Sequence, residues 1–239
     1  PLFFFNHMSQ YQMLRSLVGS EMCIRDRFII IILVSLFITS CSTTRIDQEV
    51  NAAYSIEDGE SIVVLSDSYH TGNTTENDFM DCLNRSLSKN QDQFNIISTT
   101  EFQNIFYPWF EPSTAPQNIE ELAKGLGKEI IKNKLDELEI KYLVKVTGET
   151  KTNASSGALS CAAGPGGGGC FGFAWWDDTS SYEASVWDLS QETSVGNLSA
   201  NVSGTSVIPA IVIPIPILAR TQSSACDGLS QQIVGFFSK

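Results

Sequence analysis

Cysteine is the residue type in this chain best placed to do chemistry. There are six, with only two histidines beside them. Cys41 closes an uncharged apolar run, residues 28–40 (FIIIILVSLFITS), that follows Arg25 and Arg27. Cys82, Cys161, Cys170 and Cys226 are spread over the rest of the chain, and His70 stands alone in SYHTGN. A general base needs a partner to tune and orient it, so a lone histidine reads as a strand-end loop residue. GPGGGG at 164–169 has the glycine content of a phosphate loop, but Cys170 and Phe171 follow where that loop requires Lys-Ser or Lys-Thr before a helix. It reads instead as a hairpin loop flanked by cysteines. Asp177-Asp178 lacks the D-x-D-x-D-G spacing of a calcium loop and reads as a solvated turn. No G-x-S-x-G elbow is present. The expectation is a non-enzyme with no cofactor and no metal; a hydrolase of unfamiliar type is the alternative that carboxylates leave open.

The run before Cys41 has its own physical reading. A basic flank followed by an apolar stretch of about 7–15 residues is a secretory signal, and a spanning helix needs about 20. An uncleaved anchor helix is the competing reading. Ile38-Thr39-Ser40-Cys41 resembles the lipobox of bacterial lipoproteins: a branched apolar residue, two small ones, then the cysteine. The resemblance implies that residues 28–40 are removed. Cys41 would then carry thioether-linked diacylglycerol and an amide-linked acyl chain, and more than one buried chain gives stable attachment. Ser42 in place of Asp implies, by the sorting rule of enteric bacteria, a periplasm-facing site on the outer membrane.

Residues 1–27 fit this scheme badly. Residues 13–27, MLRSLVGSEMCIRDR, resemble a translated sequencing-adapter read-through, and PLFFF at the start adds a second apolar cluster. Residues 1–27, with His7 and Cys23, are therefore expected to be non-native, and the native start to lie a few residues before Phe28.

The first 40 residues hold three basic and two acidic side chains, so residues 41–239 carry 12 Lys+Arg against 25 Asp+Glu, a net charge of −13. Such a surface disfavours nucleic acid and anionic lipid. Attachment to a membrane must then come from acyl chains. In an oxidising compartment an even set of four cysteines reads as disulfides, with zinc as the rival that would want paired close spacings and histidine. Four cysteines allow three pairings. Cys161 and Cys170 flank small residues and close easily. Cys82 and Cys226 each sit on the apolar face of a predicted helix that must pack on the sheet. The expected bridges are Cys82–Cys226 and Cys161–Cys170.

The elements that position these residues follow from periodicity. Residues 41–58 are polar and small, and read as a tether ahead of a single periplasmic domain over 59–239. Strands are expected at 61–66, 94–98, 141–150, 171–177, 182–189 and 197–207. Helices are expected after Thr75, after Thr99 or Thr100, over 118–138 and over 222–237. Residues 153–172 read as a low-complexity Gly-rich loop. The fold class is α/β (α+β): β-α-β-α-α-β, then a meander and a C-terminal helix, with one mixed sheet and packed helices. That order resembles the amino-terminal domain of TolB, the penicillin-binding-protein-activator lipoproteins and the curli-secretion lipoprotein group. No residue motif is shared, so no functional residue is carried over.

Two aromatic clusters are left as partner-binding candidates. Tyr107, Trp109 and Phe110 lie in a proline-rich segment, and Trp175 and Trp176 are consecutive on a strand, so they point to opposite faces. Rigid aromatics on loops suit a docking surface, while the rival reading has both clusters capping the sheet. IPAIVIPIPILA at 208–219 is either a packed edge strand or an exposed patch. The leading functional expectation is a non-catalytic envelope lipoprotein that binds a protein partner and no nucleic acid. The alternative is a subunit of an outer-membrane secretion pore. That needs alternating strands of about 9–11 residues, a pattern that residues 153–172 lack, which counts against a pore.

Overall fold

A computed structural model describes residues 42–51, 54–57, 59–66, 75–90, 94–111, 114, 116, 118–126 and 128–238. The elements in chain order are β1 (Ser42–Val50), β2 (Ser61–Ser66), α1 (Asn77–Leu87), β3 (Asn95–Ile97), α2 (Thr99–Ile105), α3 (Ile119–Leu126), α4 (Glu129–Glu137), β4 (Ile140–Gly164), β5 (Gly167–Asp188), β6 (Thr193–Pro214) and α5 (Thr221–Phe237). A 3-10 turn, Ser88–Asn90, extends α1. The strands form one mixed sheet in the order β1-β6-β5-β4-β2-β3. β2 runs parallel to β3 and β4, and the β4-β5-β6 meander and β1 are antiparallel. This is the α/β fold with packed helices that the element order leads one to expect.

The sheet is covered on both faces where β2 crosses it. SIVVLS is buried along almost its whole length, as a strand between two helical layers must be. On one face α1 and α5 pack through Phe79, Leu83, Leu87, Ala225, Leu229, Ile233 and Phe236 onto Val144, Val146, Ala184, Val186, Leu198 and Val202. On the other face α2, α3 and α4 pack through Phe102, Leu122, Ile131 and Leu135 onto Val63, Leu65, Leu143 and Trp187. Each fully buried Leu, Ile or Phe in these layers contributes about 1.5–3 kcal/mol. Cys82–Cys226 crosses from α1 to α5 inside the first layer, at a Cα–Cα distance of 6.3 Å and a sequence separation of 144.

Five local expectations need correction. Residues 42–50 are not tether: STTRIDQEV is an edge strand, paired with β6 from Ser42↔Gly204 to Val50↔Gly196. Its polar residues hide the strand, because it lies at the sheet edge with both faces exposed. Residues 153–172 are not a loop either. β4 continues to Gly164 and β5 starts at Gly167, so only the tip turns. The expected turn at Asp177-Asp178 is continuous β5, where Thr205 and Thr152 hydroxyls donate to the two carboxylates. The helix expected over 118–138 is two helices, α3 and α4, that meet between Leu126 and Glu129. Thr75 does not cap α1. The N-cap is Glu76, and the Thr75 hydroxyl donates to the Val146 carbonyl at 3.3 Å.

Candidate functional site

The long meander has two regions of different character. Directly opposed residues of paired strands share a face. On the face away from α1 and α5, successive cross-strand rows read Asp47, Ser199, Glu183, Thr147; then Arg45, Asn201, Ser181, Glu149; then Thr43, Ser203, Thr179, Lys151. These groups satisfy one another: Asn153 Nδ2 donates to Thr179 Oγ1 at 2.6 Å, Arg45 Nε to Asp47 Oδ2 at 2.8 Å, and Ser181 to Asn201. Beyond Asp177 the same face changes abruptly. The next rows are Val207, Trp175, Ser156; then Pro209, Phe173, Ala158; then Ile211, Phe171, Ser160. Phe171 is 75 % exposed and Ile211 80 %.

This outer part of the meander is an arm: residues 153–164 of β4, 167–176 of β5 and 205–214 of β6. After β6 the chain folds back, with Ile217 bridged to Val207 and the Ile215 N–H donating to the Pro209 carbonyl at 3.0 Å. Cys161 and Cys170 stand directly opposite each other near the tip and are bridged. The glycine-rich sequence therefore builds a pinned β-hairpin end.

At the base of the arm, on the α5 side, lies a hydrogen-bonded hub. Glu76 at the start of α1 accepts from the Thr150 N–H at 2.9 Å, from Gln222 Nε2 at 2.8 Å and from the Tyr182 hydroxyl. Thr150 Oγ1 lies 2.8 Å from Ser180 Oγ, which donates to Thr221 Oγ1 at 2.9 Å. Tyr182 stacks on Phe79 with ring centroids 3.5 Å apart. Burial pushes its phenol up to about 12, and the hydrogen bond to Glu76 adds to the rise. A tyrosine so shifted keeps its proton at neutral pH and acts as a donor. The hub thus ties α1, β4, β5 and α5 together beneath the arm. It has the satisfied partners of a structural network.

The sequence candidates fall in separate places. Tyr107 is 69 % exposed, Trp109 is half-buried with Lys128 Nζ 5.8 Å from its ring centroid, and Phe110 is buried. Phe110 is corrected from docking surface to core: with Phe102 and Phe106 it forms the aromatic centre of the α2–α4 layer. Trp109, Phe110, Thr114, Pro116, Leu122 and Lys128 line a cleft of about 240 Å³. Trp175 and Trp176 are both half-buried on opposite faces of β5, at the base of the arm. Trp187, which packs in the Phe106 and Phe110 layer, is twelve residues along β5 from Trp175. At about 3.3 Å per residue that is about 40 Å. The two aromatic clusters do not form one surface. Cys41 and His70 lie outside the described residues. One grouping of potential metal ligands occurs among the described residues, Cys82, Cys226 and Asp227, and its two sulfurs are already joined in the disulfide.

No family model matches the chain. No curated protein matches it either. Among solved structures it is similar to a PelC dodecamer from Paraburkholderia phytofirmans, at 11 % identity and a TM-score of 0.38, over 82 % of this chain and 99 % of that one. A variant of the same protein gives 10 % identity and a TM-score of 0.36 over the same shares. Likeness at this level carries no argument about function.

Proposed function

We propose that this chain is a non-catalytic, lipid-anchored envelope lipoprotein that faces the periplasm from the outer membrane and acts by binding a protein partner. The observation that supports it is where the folded domain starts. The apolar run 28–40 ends at Cys41, and the next residue, Ser42, is already in β1, paired with Gly204. A lipid on Cys41 holds the domain against the bilayer with almost no intervening chain. Among the described residues no helix is long and apolar enough to cross a membrane. The hub at Glu76 and Tyr182 has the satisfied partners of a structural network, which favours a binding protein over a hydrolase.

The docking surface that the side chains favour is the cleft beside Tyr107 and Trp109, away from the β4-β5-β6 arm. A photo-crosslinking residue in place of Tyr107, in cells expressing the protein, tests this. A discrete adduct that disappears on Trp109→Ala, with the protein level unchanged, is the expected result. An adduct pattern that Trp109→Ala does not alter would remove this cleft from the account.

A further inference from the structure

We propose that the β4-β5-β6 arm enters a lipid bilayer end-on, as a second membrane attachment besides the lipid on Cys41. Three independent features support it. First, charge disappears along the strands and not by face. In a chain with 18 % charged residues, 153–176 and 205–219 contain none. The last charges before the arm, Lys151, Asp177 and Asp178, stand at adjacent rungs of the sheet, and the first charge after it is Arg220. The backbone N–H of Ala219 donates to Ser206 Oγ at 3.0 Å, which puts that return at the same level. A patch for a protein partner would remove charge from one face; here both faces lose it beyond one line.

Second, the aromatic residues and the length fit a bilayer. Trp175 and Trp176 sit at that line, and the Trp176 indole N–H donates to Asp178 Oδ2 at 2.9 Å, so its polar end is held at the last charged rung. Tryptophan takes this position at membrane interfaces. Residues 167–176 and 205–214 are each the about ten residues that a membrane-crossing strand requires. Phe171, Phe173, Ile211 and Ile213 line the exposed face beyond the tryptophans.

Third, the start of β1 meets the same line. Ser42 pairs with Gly204, and Gly204 with Asp178. β1 is antiparallel to β6, so its N-terminal end points along the arm. Cys41 is bonded to Ser42, and consecutive Cα atoms are about 3.8 Å apart. Acyl chains on Cys41 would therefore enter the bilayer beside the arm at its charge boundary. This third feature alone rests on the lipidation of Cys41; the first two do not.

One consequence follows from the edge of β4. β2 pairs with β4 only as far as Val146, and among the described residues no strand covers β4 beyond it on that side. Open backbone edges do not occur against hydrocarbon. The inserted form is therefore a multimer in which a neighbouring copy pairs that edge, and the isolated molecule keeps its arm in water or at headgroup depth.

The test uses the full chain with Cys41→Ala, so that no acyl chain contributes, and vesicles of phosphatidylethanolamine and phosphatidylglycerol. The four tryptophans are Trp109, Trp175, Trp176 and Trp187, so the apolar segment 28–40 is silent in tryptophan fluorescence. Brominated lipids should quench the emission, with bromine near the glycerol end of the chains most effective. The quenching should vanish in the Trp175→Phe/Trp176→Phe variant. Phe171→Asp with Ile211→Asp should lower the quenched fraction at least about tenfold, since a charge in the apolar band is costly. Three results would overturn the proposal: unquenched Trp175 and Trp176 in vesicle-bound protein, quenching unchanged by the two aspartates, or an effect of the aspartates confined to self-association in lipid-free solution. The last would assign the arm to a second copy instead of a membrane.

Discussion

Removing the long disulfide should cost far more stability than removing the short one, and the difference can be worked out. Cys82–Cys226 spans a sequence separation of 144 and Cys161–Cys170 one of 9. Loop-closure entropy makes the first worth about 5 kcal/mol and the second about 2.7 kcal/mol. The native side widens the gap. Cys226 is fully buried between α5 and the sheet, so its loss also leaves a small void, whereas Cys161 and Cys170 lie on the arm outside both packed layers. The perturbation is Cys82→Ala with Cys226→Ala, compared with Cys161→Ala and Cys170→Ala. The assay is equilibrium urea unfolding followed by tryptophan emission. With a slope of about 2 kcal/mol per molar urea, the first pair should lower the midpoint by about 2.5 M. The second should move it by no more than about half as much, because the global transition belongs to the layers and not to the arm. Equal shifts for the two pairs, or a shift under about 0.5 M for the first, would refute the claim that the α1–α5 bridge constrains the unfolded chain over most of the domain.

Other expectations follow from single side chains. Phe110→Ala should cost about 3–5 kcal/mol in urea unfolding, while Tyr107→Ala stays within about 0.5 kcal/mol; comparable costs would undo the placement of Phe110 in the core. Tyr182 has an ordinary pKa of 10.0 in the unfolded chain and about 12 when folded, so its contribution is whole below pH 10 and lost as pH rises through about 12. Tyr182→Phe should therefore reduce the alkaline fall in stability across that window, besides costing about 1.5–3 kcal/mol at neutral pH from the lost bond to Glu76; an unchanged alkaline profile would count against the hub. Gly148 has φ +142°, and an added Cβ would stand 2.2 Å from the Ser181 carbonyl oxygen across the β4–β5 pair. Gly148→Ala should cost at least about 1–3 kcal/mol, measurable as a lowered thermal midpoint, and a neutral result would mean the strands can part there at no cost.

What could be read before the structure depended on whether the signal was local. α5 shows its buried face in sequence as Ala225, Cys226, Leu229, Ile233 and Phe236, and Cys82 lies on the comparable face of α1, so their adjacency in one layer followed from helix periodicity. The arm left no such trace. β4 beyond Lys151 is built of Ala, Ser and Gly, which have weak strand preference, and its strand state comes from pairing with β5 over the whole length. β1 is hidden for the same reason: STTRIDQEV buries nothing, and only the free edge of β6 makes it a strand. In sequence Phe110 reads as a docking residue because neighbouring prolines suggest a loop, while the aromatic packing that buries it joins residues of α2 and the following turn. The charge boundary at Asp178 could not be seen in the linear sequence, since it emerges only when Thr152, Asp178 and Gly204 are aligned in register.

The proposed lipidation of Cys41 would determine which surface of the domain faces the bilayer. The most direct measurement is the mass of the N-terminal peptide of protein extracted in detergent from the native envelope. The predicted result is a peptide that starts at Cys41 and carries both diacylglycerol and an amide-linked acyl chain. A peptide that retains residues 28–40, or one that starts at Cys41 with a free thiol and free amine, would contradict it.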